Sequence, residues 1–152
     1  MNRDFRDLIV ELQSADARFL VVGAYALGAH GIPRATADFD IWIDASAENA
    51  TRVMRALAEF GVALDALGIR ASDLVDPDKV VHFGVPPYRI DIMSAIDGVE
   101  FADAWQRRIM ERFQGIQAPF IGRQDLMANK RAVGRRKDLE DLENLQALAE
   151  PE

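Results

Sequence analysis

Residues 18–44 read RFLVVGAYALGAHGIPRATADFDIWID. The stretch opens on an apolar run, Phe19 to Val22, that reads as a buried strand. Gly23 ends it. AYALGAHG follows as a short helical run, closed by Gly31, and Pro33 forces an extended exit. From Ala37 to Asp44 the chain alternates. Phe39, Ile41 and Ile43 fall on one face of a strand, and Asp38, Asp40, Trp42 and Asp44 on the other. Asp38 and Asp40 therefore leave the same face. Asp44, at the strand end before a capping serine, reads as a turn residue.

Working outward, Phe5, Leu8, Ile9 and Leu12 recur at helical spacing before the first strand. Ser46 caps a helix that ends at Gly61. VVHFG and YRIDIMSAI read as two strands joined through Pro86-Pro87. In the second, Ile90 and Ile92 face one way and Arg89, Asp91 and Met93 the other. The pattern predicts a helix over 100–112, a strand over 114–121 and a helix over 123–134. A last helix starts near Lys137, with Leu139, Leu142, Leu145 and Leu148 as its core face. Helices mixed with short, partly consecutive strands indicate an α+β fold: a short mixed sheet backed by helices, with a helical C-terminal part over a cleft.

The 152 residues carry 25 acidic and 18 basic side chains, a net charge of −7. One domain over 1–152 is expected, large enough to bury about 68–70% of its unfolded surface. The charge argues against a non-specific nucleic-acid coat protein. The absence of cysteine excludes disulfides, Fe–S clusters and thiolate zinc sites. No apolar run approaches about 18 residues, so no membrane span is expected. Charges interrupt MNRDFRDLIVELQ, so no signal-peptide core is expected either. A cytoplasmic location is the expectation.

The chemistry rests on carboxylates. Asp91 lies on a second strand; if that strand neighbours the first, Asp38, Asp40 and Asp91 share one patch. Three bare carboxylates repel. A hard divalent cation removes that cost, and Mg²⁺ favours a few carboxylates with waters and phosphate oxygens. Solvated carboxylates on an exposed sheet face are the competing reading. The strand–Gly23–helix turn is an anion site by its backbone N–H groups, though such turns are common. Arg34 has two readings, a phosphate contact or an aspartate partner. Residues 122–137 hold six basic side chains against Asp125 alone. They read as a solvated helix face or as charge for a polyphosphate or a nucleic-acid backbone. His30 and His82 read as structural, hydrogen-bonded histidines, and Trp42 and Trp105 as packing residues.

VVGAYALGAHGIPRATADFDIWID resembles the first catalytic motif of the DNA polymerase β-type nucleotidyltransferase superfamily. It is most similar to the small bacterial branch related to the AbiEii-type toxins of type IV toxin–antitoxin systems. RIDIM resembles that branch's third-carboxylate strand, and DLMANKRAVGRRKDLEDLENL its C-terminal signature. The resemblance runs from about Arg18 to Leu148. It implies Asp38, Asp40 and Asp91 as ligands of Mg²⁺ (or Mn²⁺), with Asp91 also helping to activate an acceptor hydroxyl. It implies Gly23 and Ala24 as a backbone cradle for the outer phosphates, Arg34 and Thr36 as part of the nucleotide site, and Lys130 on the triphosphate. Asp138 falls on the signature's aspartate. The activity implied is transfer of a nucleoside monophosphate from a nucleoside triphosphate to an acceptor hydroxyl on RNA such as tRNA, on protein or on a small molecule, with an antitoxin protein as partner. The branch has Gly-Ser or Gly-Gly where this chain has Gly23-Ala24. A degenerate nucleotidyltransferase that binds nucleotide or a partner is the non-catalytic alternative. Asp38-Phe-Asp40-Ile-Trp42 also partly matches the Asp-x-Asp loop of haloacid-dehalogenase phosphatases. It lacks the apolar strand before Asp38, and Trp42 stands where that loop has Thr or Val.

Overall fold

The chain is described by a computed structural model over residues 3–148. Helix α1 (Arg3–Ser14) buries Phe5, Leu8, Ile9 and Leu12, the i, i+3, i+4, i+7 face read from the sequence. Strand β1 (Phe19–Val22) is buried throughout. It turns at Gly23 directly into α2 (Gly23–Ala29), and β2 (Asp38–Ile43) follows. Helix α3 (Ala47–Phe60) starts where the Ser46 side chain accepts from the Asn49 N–H and ends on Gly61 at φ 108°. Two one-turn helices, α4 (Leu64–Leu67) and α5 (Ala71–Leu74), lead to β3 (Val80–Phe83) and β4 (Arg89–Met93). Then come α6 (Phe101–Gln106), β5 (Ile109–Phe113), β6 (Ile116–Phe120), α7 (Arg123–Val133) and α8 (Arg136–Ala147).

The helix expected over 100–112 is half right. It stops at Gln106, and residues 109–113 form an edge strand paired antiparallel with β6. Ile109 and Phe113 stand four apart, which suits a helix and, equally, one face of a strand. The tight turn at Gln114 and Gly115, both at positive φ, closes a hairpin instead.

The six strands run in the order β3-β4-β2-β1-β6-β5. β1 pairs antiparallel with β2 and parallel with β6; β2 and β4 are parallel, with Asp40 opposite Asp91 and Asp38 opposite Arg89. The sheet is mixed, as expected. One face carries Phe39 and is covered by α1, where Phe5 stacks on Phe39 at 4.7 Å. On the other, Trp42 meets Phe101 of α6 edge-on at 5.1 Å. Removing either large ring would cost about 3–5 kcal/mol. Buried Asn49 locks α3 to the strand ends: its amide donates to the Arg18 and Asp44 carbonyls and accepts from the Arg18 N–H. β1 and β2, packed on both faces, thereby hold a fixed register. In α8 the leucine face divides: Leu142 and Leu145 are buried, Leu139 and Leu148 exposed.

Candidate active site

The end of β1 and the start of β2 are opposite one another, with Val22 paired to Asp40. Gly23 is required there twice over. Its φ is +71°, and a Cβ on it would sit 2.1 Å from Asp40 Oδ2. No side chain fits between this turn and the carboxylate, so the Gly23 backbone lies directly against Asp40. The first N–H groups of α2 have no helical partners of their own.

Asp40 and Asp91, register partners in the parallel pair, have their carboxyls within hydrogen-bond reach. The Asp40 carboxyl is pushed up from 3.8 to about 6. Burial is the main cause, followed by the charge of Asp91, their hydrogen bond, and Asp38; Arg89 pulls the other way. Asp38 joins through a cation: Arg89 Nε lies 3.0 Å from Asp91 Oδ1, and its Nη2 lies 3.5 Å from Asp38 Oδ2. Nη2 also donates to Asp91 Oδ2 at 3.1 Å. His82 Nδ1 on β3 is 3.3 Å from Asp91 Oδ1. That oxygen is buried, and neither neighbour is aligned to hydrogen-bond it.

The carboxylate patch opens into a cleft of about 580 Å³ whose far wall is α7 and the start of α8. Gly23, Ala24, Arg34, Thr36, Asp38, Asp40 and Lys130 all line it. The sequence-predicted residues therefore meet in one place, except Asp91, which lies in the strand behind Asp40. Arg34 takes an aspartate partner, but not one of the three expected. It forms a two-pronged pair with Asp141 of α8, at 3.1 and 2.5 Å. Lys130 Nζ lies 3.1 Å from Asp141 and 3.4 Å from Asp138. Arg135 Nε pairs with Asp138 at 2.7 Å. Asp141 is 1% exposed and Asp138 2%. The Arg135 hydrogen bond, against the cost of burial, holds the Asp138 carboxyl below its usual range. Burial pushes Asp141 up, but the Arg34 and Lys130 hydrogen bonds outweigh it, and its carboxyl also sits low. Thr36 accepts from the Asp38 N–H and so fixes the entry to β2.

No family model matches the chain, and no curated protein matches it either. Among solved structures it is similar to a "putative nucleotidyltransferase" from Thermotoga maritima, at 18% identity and a TM-score of 0.64, over 95% of this chain and 91% of that one. The fold is nucleotidyltransferase-like.

Within that fold, Arg89 and Asp141 are the residues that sequence reasoning missed. Arg89 sits two before Asp91, so its side chain leaves the same strand face; that spacing was readable. His82 was read as structural, and the register with Asp91 brings it to the carboxylates instead. His30 does hydrogen-bond a backbone carbonyl, that of Ile121, at 2.8 Å.

Among the described residues no group of three or more His, Asp or Glu side chains is arranged to hold a metal ion as it stands. The Arg89 guanidinium spans Asp38 and Asp91. The donor set itself suits a hard cation: three carboxylates, oxygen only, one with a buried oxygen lacking a hydrogen bond and one whose ionised form is disfavoured. A divalent cation would take over the neutralising role that Arg89 plays here.

Proposed function

We propose that this chain is a metal-dependent nucleotidyltransferase that moves a nucleoside monophosphate from a nucleoside triphosphate to an acceptor hydroxyl. The observation that carries the reading is the Gly23 turn packed against Asp40, which places a backbone N–H cradle and a carboxylate patch at one mouth of one cleft. Asp38, Asp40 and Asp91 would hold Mg²⁺ or Mn²⁺. Such an ion supplies charge neutralisation of the transferring phosphoryl group and its leaving pyrophosphate.

The chain's own residues do the positioning. The N–H groups of Gly23 and Ala24 face the outer phosphates. Ala24 takes away the hydroxyl that a serine offers, and the backbone donors remain. Lys130 presents a cation from the opposite wall and Arg34 one from the segment before β2, each steadied by Asp141 so that it lines the cleft in a fixed position. Asp138 and Asp141 brace three cations, Arg34, Lys130 and Arg135, and Lys137 lines the cleft beside them, leaving positive charge there for a polyphosphate. Burial and the neighbouring carboxylates push the Asp40 carboxyl up to about 6 and so disfavour its ionised form. A cation draws it into the ionised form.

Calorimetric titration with each triphosphate, with and without Mg²⁺, tests this. Binding that needs the metal supports the reading; equal affinity in both conditions overturns it. Arg89 in the carboxylate patch favours a second reading, a degenerate module that binds nucleotide without metal. Pyrophosphate release separates the two. From the family resemblance we take the acceptor to be a hydroxyl on RNA, protein or a small molecule, and the partner an antitoxin protein. Incubation with α-labelled triphosphates and a cell extract identifies the acceptor by the fraction that carries label.

A further inference from the structure

The sheet has two edges, β5 and β3. An edge strand shows a row of unpaired backbone N–H and C=O groups, which proteins commonly blunt with charge or proline. β5 carries Glu111 and Arg112. β3 reads VVHF, with no acid, lysine, arginine or proline. Lys79, just before it, is tied to Asp73 at 2.9 Å. Beyond the ladder with β4, no turn or loop hydrogen bond among the described residues takes a backbone group of β3. Exposed apolar surface gathers on the same edge. Val80 is 45% exposed and Leu67 56%, and both wall a groove of about 510 Å³ at the start of the strand. Val85, 69% exposed, stands two residues past its other end. An apolar groove and an apolar knob thus lie at opposite ends of one unpaired strand.

We propose that β3 is the seam of a homodimer, in which a second copy of this chain pairs its own β3 antiparallel along this edge. Antiparallel pairing runs the end of one strand past the start of the other. Val85 of each copy therefore meets the Leu67–Val80 groove of its partner, once on each side of a two-fold axis. The contact is self-complementary, as a two-fold interface requires. Parallel pairing would set knob beside knob and groove beside groove. The axis stands normal to the sheet, so both copies turn the same face the same way. β4 is the next strand inward from β3. The two carboxylate patches then share one face of a continuous sheet, with Asp91 and its copy three strand spacings, about 14 Å, apart across the seam. Dimerisation here needs only the strand edge, and it holds whether or not the chain transfers nucleotides.

The test is sedimentation velocity on the whole chain. One short strand and two knobs make a small interface of the weak class, so the dimer should build up between about 1 and about 100 μM. The mass should rise there from 16.9 kDa to twice that value. Val85→Lys and Leu67→Glu, both at exposed positions and both checked by circular dichroism, should each weaken association roughly tenfold or more. Placed together in one chain they should restore it, because the introduced ammonium then faces the introduced carboxylate across the seam. Met110→Lys, at an exposed position on the β5 edge, should leave association unchanged. A wild type that stays monomeric throughout overturns the proposal and leaves the edge open to a strand of another protein. A dimer that both single variants leave intact, that Met110→Lys breaks, or that the double variant fails to restore overturns it as well.

Discussion

Replacing Asp40 by Asn should stabilise this protein when no divalent metal is present. The carboxyl sits at about 6 in the fold against an ordinary 3.8. Between those values the folded chain holds a proton that the unfolded chain has released. Stability therefore falls as pH rises from about 4 to about 6, then stays down. At about 1.36 kcal/mol per pH unit, the ceiling on the penalty is about 3 kcal/mol. Asp40 is half-buried and faces the cleft, so solvent screening brings the figure to about 1–2 kcal/mol. Asparagine has the same shape and no charge. Urea unfolding of wild type and Asp40→Asn in chelator, from pH 4 to pH 8, reads the difference directly. The two should be alike near pH 4, and the variant should gain steadily to about pH 6 and hold that gain at pH 8. Added Mg²⁺ should reverse the order, because it binds the folded wild type in preference. A variant less stable than wild type at pH 8 in chelator, or a gain that does not change with pH, would refute the reasoning. The expectation is specific to Asp40. Asp91 already has Arg89 and His82 beside it, so Asp91→Asn should lose stability where Asp40→Asn gains.

Three other outcomes are expected. Gly23→Ala should cost about 1–3 kcal/mol in left-handed strain alone and more from the collision with Asp40. In an Asp40→Ala background most of the excess should go, leaving only the 3.1 Å contact with the residue-40 Cβ, which a double-mutant cycle by thermal melting measures. Asp141→Asn should cost about 3 kcal/mol, since it leaves Arg34 and Lys130 without their shared anion. Because the Asp138 and Asp141 carboxyls sit low, their contribution should hold at neutral pH and be lost as pH falls below the ordinary carboxylate range. Acid unfolding of the wild type and the variant shows this. Arg89→Met should bind Mn²⁺ about tenfold more tightly without nucleotide, as removal of a cation a few ångströms from the site predicts; electron paramagnetic resonance titration gives the affinity, and an unchanged or weaker one would mean that Arg89 does not compete with the metal.

Much of the site was legible because its residues sit on strands, where a period of two fixes the face. Asp38 with Asp40, and Arg89 with Asp91, follow from that period alone. What was not legible is which strands are neighbours. The Asp40–Asp91 register, 51 residues apart in sequence, decides whether the carboxylates converge, and nothing local encodes it. The same holds for Arg34, whose partner lies 107 residues away. Residues 107–112, RRIMER, read as helix because arginine, methionine and glutamate are good helix formers, and the hairpin turn at Gln114-Gly115 lacks the usual Asn-Gly or Asp-Gly signal. Asp141 went unread because a carboxylate three after Asp138 on a charged helix looks solvent-facing, and only the packing of α8 against α7 buries it.

The pairing of Arg34 with Asp141 also sets an order of events during synthesis. Domains form from the N-terminal side as the chain emerges. Phe19 to Asp44 are made early, and so are both aspartates of β2. The anion that steadies Arg34 is translated 107 residues after it, and β6, the parallel neighbour of β1, is made in the interval. Until then the nascent chain carries an exposed β1 edge and an unpaired arginine at the cleft. The cleft wall built from α7 and α8 is completed only once α8 has been made, so a nascent chain that has reached only β6 does not yet hold the Arg34–Asp141 pair.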